Sequence, residues 1–200
     1  MAPLNPVGFL TDPSFCMTRI YMVRHGRASA GWDTATDPPL DAFGEQQAAA
    51  VARTLGTLGP IDIVTSPLVR CRETAQPLAQ LWAVEPRIEP GITEIPSPTG
   101  YSMRDRLGWL RQAMAGNWSD LDSIYTDYRN IAYETIRAMP TDTVAFSHFV
   151  AINAVIGKVL NDDRVLIDSL DNCSVTVFEV SPSGEMDIIQ RGHEADTLIR

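Results

Sequence analysis

Ile20-Tyr21-Met22-Val23-Arg24-His25-Gly26 runs from four apolar positions straight into a polar break. A short unbroken apolar run of this kind reads as a buried strand. The same figure returns twice along the chain. Ile61 to Thr65 reads as a second strand that ends at Ser66, and Thr143 to Ser147 as another, with the apolar run Val144-Ala145-Phe146, that ends at His148. Helical periodicity fills the intervals. Ala48, Val51, Ala52 and Leu55 share one face of a helix expected over residues 45–58, which Gly59-Pro60 stops. A second helix is expected to begin at Pro67, capped by Ser66, and to run to about Trp82. A third is expected over 149–160, with Ala151, Val155, Ile156 and Val159 inward.

The rest of the chain completes the pattern. Ile88 belongs to a short strand, and the Pro- and Gly-rich residues 90–100 read as loop. Two helices are expected over 102–115 and 120–138. Two final strands, 174–180 and 186–190, are joined by the turn Pro182-Ser183-Gly184. Alternating strands and helices give an α/β fold. We expect a three-layer sandwich with a mostly parallel central sheet and helices on both faces. Ligands of such folds sit beyond the carboxyl ends of the strands. Arg24-His25, the segment from Ser66 to Arg70, and His148 all fall there.

Composition sets the outer bounds. With 200 residues, 44% hydrophobic and 20% charged, the chain suits one globular domain. Residues 1–16 read as an N-terminal appendage without the features of a secretory signal, and 17–200 as the domain. The net charge of −9 opposes nucleic acid as a partner. No stretch is apolar enough for a membrane span. The cysteines, Cys16, Cys71 and Cys173, show neither disulfide nor metal-ligand spacing, which fits a reducing cytoplasm. Nothing in the sequence sets an oligomeric state. Any phosphate site must be a local cationic cluster on an acidic body.

The candidate cluster is built from residues far apart in sequence. Arg24 offers a planar fork of donors to phosphate oxygens, and Gly26 lets the backbone turn and approach a ligand. Arg70 sits in the first turn of its helix, a costly place for a cation unless an anion lies in front of it. Glu94 lies in the Pro-rich loop, and His148 ends a strand. Taken singly, each has a plain structural reading: a core or backbone-bonded histidine, a surface arginine, a solvated carboxylate.

Together they resemble the histidine phosphatase superfamily, which includes cofactor-dependent phosphoglycerate mutases. Arg24-His25-Gly26 matches its signature. Ser66, Arg70, Thr74 and Ala75 match its Ser-x-x-x-Arg-x-x-x-Thr-Ala stretch. Asp37-Pro38-Pro39-Leu40 and Gly44-x-x-Gln47-Ala48 look like the lead into its first helix, and Ser147-His148 like its second histidine. Asn172-x-Ser174-Val175-Thr176 resembles its late strand. The resemblance covers about residues 19–191.

The resemblance implies roles. His25 would attack phosphorus through an uncharged ring nitrogen, its other nitrogen held as a donor by a backbone carbonyl. Arg24, Arg70 and a cationic or at least donating His148 would surround the phosphoryl oxygens. Glu94 would be general acid and then base, with its pKa raised. Gly26, Arg27 and Phe149 would contact substrate. No cofactor and no metal is implied, because the Arg and His cluster does the charge work. Residues 95–140 would form a helical insert over the site, with Tyr101, Arg104, Arg106 and Trp109 within possible reach, although Trp109, Trp118 and Tyr128 read better as packing.

Departures from the pattern bear on the activity. Arg27 stands where many members have Glu or Gln, Gly31 where mutases often have Asn, Phe149 where Gly is usual, and Asn153 where many have Arg. The resemblance therefore implies a metal-independent phosphomonoester hydrolase acting on a small phosphorylated metabolite through a phosphohistidine. A mutase-type phosphotransferase, a protein phosphohistidine phosphatase and a non-catalytic phosphate-binding module are the alternatives.

Overall fold

The computed structural model of the chain describes residues 17–194. The expected appendage, 1–16, lies outside the described residues. Six strands form one sheet: β1 (Thr18–Arg24), β2 (Asp62–Thr65), β3 (Arg87–Ile88), β4 (Thr143–Ser147), β5 (Val175–Val180) and β6 (Met186–Gln190). Their order is β3-β2-β4-β1-β5-β6. The first four in that order are parallel, β5 runs against β1, and β6 runs against β5. The sheet is thus mostly parallel, with an antiparallel hairpin added at one edge.

Five α-helices accompany it: α1 (Ala42–Leu55), α2 (Val69–Trp82), α3 (Met103–Met114), α4 (Ser123–Arg137) and α5 (Phe149–Leu160). The two-residue period of the strands sorts their side chains between two cores. Val23, Ile63, Val144 and Phe146 face one side and pack under α1 and α2 with Val51, Leu55, Ala75 and Leu78. Ile20, Met22, Val64 and Ala145 face the other, against α4 and α5, with Ala132, Ile136, Ile152 and Val155. Helix α5 is buried along most of its length, because it lies between the sheet and α4. No helix among the described residues is long and apolar enough to cross a membrane.

Adjacent strands β1 and β4 send their following helices, α1 and α5, to opposite faces. That arrangement opens a crevice beyond their carboxyl ends. Arg24, Ser66 and His148 end up at this edge.

Three local expectations are corrected. Helix α2 begins at Val69, with Leu68 as its N-cap and no side-chain cap of its own. Ser66 does not cap it in the expected way, because its hydroxyl is turned to His148 and to the Leu68 N–H. Asp37, from another part of the chain, accepts the Val69 N–H at 2.8 Å instead. Gly26 is required by packing rather than by a ligand: a Cβ there would lie 2.7 Å from the Gly44 carbonyl oxygen. The converse holds at Gly44, where a Cβ would meet the Arg27 carbonyl oxygen at 2.2 Å. The two glycines let the turn after β1 lie directly on the start of α1, where Gln47 accepts the Arg27 N–H. In the expected insert only α3 borders the crevice, while α4 is a core helix carrying buried Tyr128 and Ile136.

Candidate active site

His25 is held at three points. Its backbone N–H donates to Ser147 O at 3.0 Å across β4. Its carbonyl accepts from Asn172 Nδ2 at 2.9 Å. Its Nδ1–H donates to Gly26 O at 2.7 Å, which fixes the tautomer and leaves Nε2 as the acceptor nitrogen. Nε2 accepts from Arg70 Nε at 3.2 Å. Burial, then the charges of Arg70 and Arg24, push the His25 pKa well below its usual value, which favours the neutral ring.

Arg70 is the hub. It is buried, and its Nη2 donates both to Glu94 Oε2 at 3.3 Å and to His148 Nδ1 at 3.1 Å. Asp37 lies farther off, at 3.8 Å from Nη1. Arg24 donates through Nη1 to Leu170 O at 2.5 Å, and its guanidinium lies 5.0 Å from the centre of the Phe149 ring. Its Nε is buried with no protein acceptor among the described residues. Such a donor fits an anion that enters the site.

Glu94 sits between these groups with little exposure. Burial raises its pKa, and the nearby Arg70 opposes that rise without cancelling it. The Ile95 N–H donates to Oε1, while Oε2 faces Arg70 and His148.

His148 departs from the expected role of a cation or donor facing the phosphoryl oxygens. It is fully buried, and burial together with Arg70, His25 and Arg24 pushes its pKa well below the usual value. A guanidinium can only donate, so Nδ1 accepts from Arg70 and the proton rests on Nε2, which donates to Ser66 Oγ at 2.7 Å. His148 therefore supports Arg70 from behind rather than lining the cavity.

The cavity in front of these groups has a volume of about 780 Å³, within the usual range for small-molecule sites. Arg24, His25, Arg70 and Glu94 form its floor, and Phe149 and Asn172 one side. The loop from Arg27 to Pro38 forms the opposite wall, with Leu110 and Met114 of α3 beside it. Trp32 of that loop stacks with Trp109 at 6.3 Å and lies 4.2 Å from the Arg106 guanidinium. Tyr101, Arg104, Arg106 and Trp109 contribute no lining atoms. Arg27 lines the rim, but its Nε is bound to Asp41 at 2.6 Å. Gly26 lies beneath the surface, its N–H on Thr74 Oγ1.

Several contributors escaped the sequence reading. Asn172 matched only a late strand, yet residues 172–174 wrap the end of β1. Cys173 N–H donates to Arg24 O and Arg24 N–H to Ser174 O, with Cys173 in the left-handed region at φ 58°. Asn153, the departure from Arg, is fully buried and ties α5 to residues 167–168.

His25, Glu94 and His148 bring potential metal-ligand atoms within 4.8 Å of one another. The set does not suit a cation. Arg70 already donates to an atom of each, and a metal would have to displace that guanidinium or sit against it.

The profile of the histidine phosphatase superfamily (branch 1) matches residues 20–186. The chain is 28% identical over 192 residues to a protein named probable phosphoglycerate mutase GpmB of Escherichia coli O1:K1, covering 84% of this chain and 87% of that one. It is 44% identical over 82 residues to the PE-PGRS family protein PE_PGRS11 of Mycobacterium tuberculosis. That match takes in 38% of this chain and only 14% of the larger protein. Two solved structures share the fold. Phosphoserine phosphatase of Entamoeba histolytica, in complex with 3-phosphoglyceric acid, has a TM-score of 0.67 at 20% identity, over 90% of this chain and 98% of that one. Mycobacterial glucosyl-3-phosphoglycerate phosphatase, in complex with VO3, has a TM-score of 0.69 at 19% identity, over 89% and 100%.

Proposed function

Since the chain belongs to the histidine phosphatase superfamily, branch 1, we propose that it is a metal-independent phosphomonoesterase acting on a small phosphorylated metabolite through a phosphohistidine on His25. One observation carries this reading. His25 is neutral, its Nδ1–H is tied to the Gly26 carbonyl, and its Nε2 lone pair lies beside the Arg70 guanidinium on the cavity floor.

The chemistry follows from that floor. Arg24 and Arg70 hold the phosphoryl oxygens, and the buried Nε of Arg24 gains an acceptor. Arg70 Nε passes from His25 Nε2 to a phosphoryl oxygen, and the freed Nε2 attacks phosphorus in line; the N–P bond forms as the P–O bond to the leaving group breaks. Glu94, whose acid form burial favours, passes its proton to the departing oxygen. The resulting carboxylate takes a proton from a water that attacks the phosphohistidine, which releases inorganic phosphate and restores His25. Two guanidinium charges match a phosphate dianion when Glu94 is neutral, so a tight complex needs no further cation. His148 acts through Arg70, keeping the guanidinium aimed across the floor.

Hydrolysis is favoured over transfer between substrates because Gly31 lines the wall without a side chain, where mutases of the family often place Asn. We read the described residues as one catalytic domain with α3 as its partial cover. Cys71 and Cys173 are free thiols, which suits a cytoplasmic protein.

The purified protein should release phosphate from phenyl phosphate at the same rate with and without excess chelator. Loss of turnover in the chelator, restored by a divalent metal, would sink the metal-independent reading.

A further inference from the structure

Resting on the phosphomonoesterase reading, we infer that the leaving group of the substrate carries no negative charge: the cavity takes phosphate esters of neutral or cationic alcohols with an apolar part and discriminates against phosphorylated carboxylic acids and bisphosphates. A second anionic group would lose its water on entering and would need a cation or several donors in exchange. Among the described residues that line the cavity the cations are Arg24, Arg27 and Arg70.

Arg24 and Arg70 sit at the phosphoryl end. Arg70 donates to His25 and Glu94 there, and Arg24 lies over Phe149 with one nitrogen on Leu170 O. Arg27 is answered by Asp41 at 2.6 Å, and its guanidinium rests over the Phe43 ring at 4.7 Å. Asp41 cannot readily follow a substrate, because its other oxygen accepts the Gly44 N–H as the cap of α1. Arg106 is the next guanidinium outward. It contributes nothing to the lining; it stacks on the Trp32 ring and donates to Met103 Sδ.

The walls beyond the phosphoryl end carry the opposite sign. Asp33 and Asp171 line the cavity without an ion pair among the described residues, Asp33 on the outer wall beside Trp32 and Asp171 nearer the phosphoryl end, where it shares the field of Arg24. Each would repel a second anion, and the −9 charge of the chain adds to that field. The apolar part of the wall comes from Trp32, Leu110, Met114 and Val150. A site that held phosphorylated acids would be expected to place an uncommitted Arg or Lys where these carboxylates stand.

Two matched pairs test this. Glycerol 3-phosphate and 3-phosphoglycerate share a carbon skeleton and differ by a hydroxymethyl against a carboxylate. Phosphoethanolamine and phosphoserine differ by one carboxylate. Within each pair kcat/KM should favour the ester without the carboxylate by about tenfold or more, and Asp33→Asn should narrow that ratio by about threefold. A ratio near one or reversed, or one that Asp33→Asn leaves unmoved, overturns the inference; a reversal would point to Arg106 swinging in from behind Trp32. No turnover of any of the four esters or of phenyl phosphate would instead overturn the phosphomonoesterase reading, and this inference with it.

Discussion

Replacing His25 by Ala should lower kcat/KM for phenyl phosphate by at least about 10⁴-fold, because it removes the atom that bonds to phosphorus. No neighbour can take over. The Cys71 thiol lies near His148, but burial pushes its pKa well above the ordinary thiol value, so it is no nucleophile at neutral pH. Ser66 Oγ is committed to His148. The change should spare the fold, since the hydrogen bonds that hold residue 25 through its backbone, to Ser147 and Asn172, remain. It should also spare phosphate binding. Arg70 Nε loses its imidazole acceptor and becomes free for a phosphate oxygen. Steady-state kinetics beside calorimetric titration with inorganic phosphate separates these. Retained turnover in His25→Ala would place the chemistry elsewhere.

Glu94→Gln should have a second large effect that depends on the leaving group. For alkyl phosphates, whose departing oxygen needs a proton, turnover should fall by about 10²- to 10³-fold. For nitrophenyl phosphate the departing phenolate needs none, so the loss should move to the second step. The variant should release a burst of nitrophenolate close to one equivalent per enzyme and then turn over slowly. The wild-type pH profile on alkyl esters follows from the same residue. The acid form of Glu94 is required, and its pKa is raised, so activity holds at acid pH and declines as pH rises through that raised value. The requirement for neutral His25 sets the acid limb, which the depressed His25 pKa moves below the ordinary imidazole range of about 6.5. The profile should therefore have its acid limb below the ordinary imidazole range and its alkaline limb above the usual carboxyl range. Stopped-flow and pH-rate measurements on both proteins check this, and equal losses on both ester types without a burst would remove Glu94 from the acid role.

Much of this arrangement was legible because its carriers are local patterns. The apolar run 143–147 and the helical face of 149–160 depend on neighbours in sequence, and both elements appear with those bounds. Once the strands were identified as parallel, the polar groups at their carboxyl ends had to share one edge. That is why His25, Arg70, Glu94 and His148 meet although the chain separates them widely. What escaped the reading depends on distant partners. Ser66 looked like a helix cap because its neighbours in sequence suggest one, but its hydroxyl faces His148, and Asp37 serves the helix instead. Gly26 looked like a ligand-side glycine, whereas the constraint comes from Gly44 across a helix start. The protonation of His148 depends on burial and on a guanidinium aimed at it, and neither is written in residues 147–149. The outer wall, where Trp32 and Asp33 meet α3, forms only when two irregular segments pack together.

The covalent intermediate is the centre of this account. Mixing Glu94→Gln with nitrophenyl phosphate, quenching in alkali, in which phosphohistidine survives, and mapping the peptides by mass spectrometry tests it most directly. The account predicts one added phosphoryl group on the peptide that contains His25, formed at the rate of the burst. A phosphoryl group on another residue, or a full burst with no protein-bound phosphate, would contradict it.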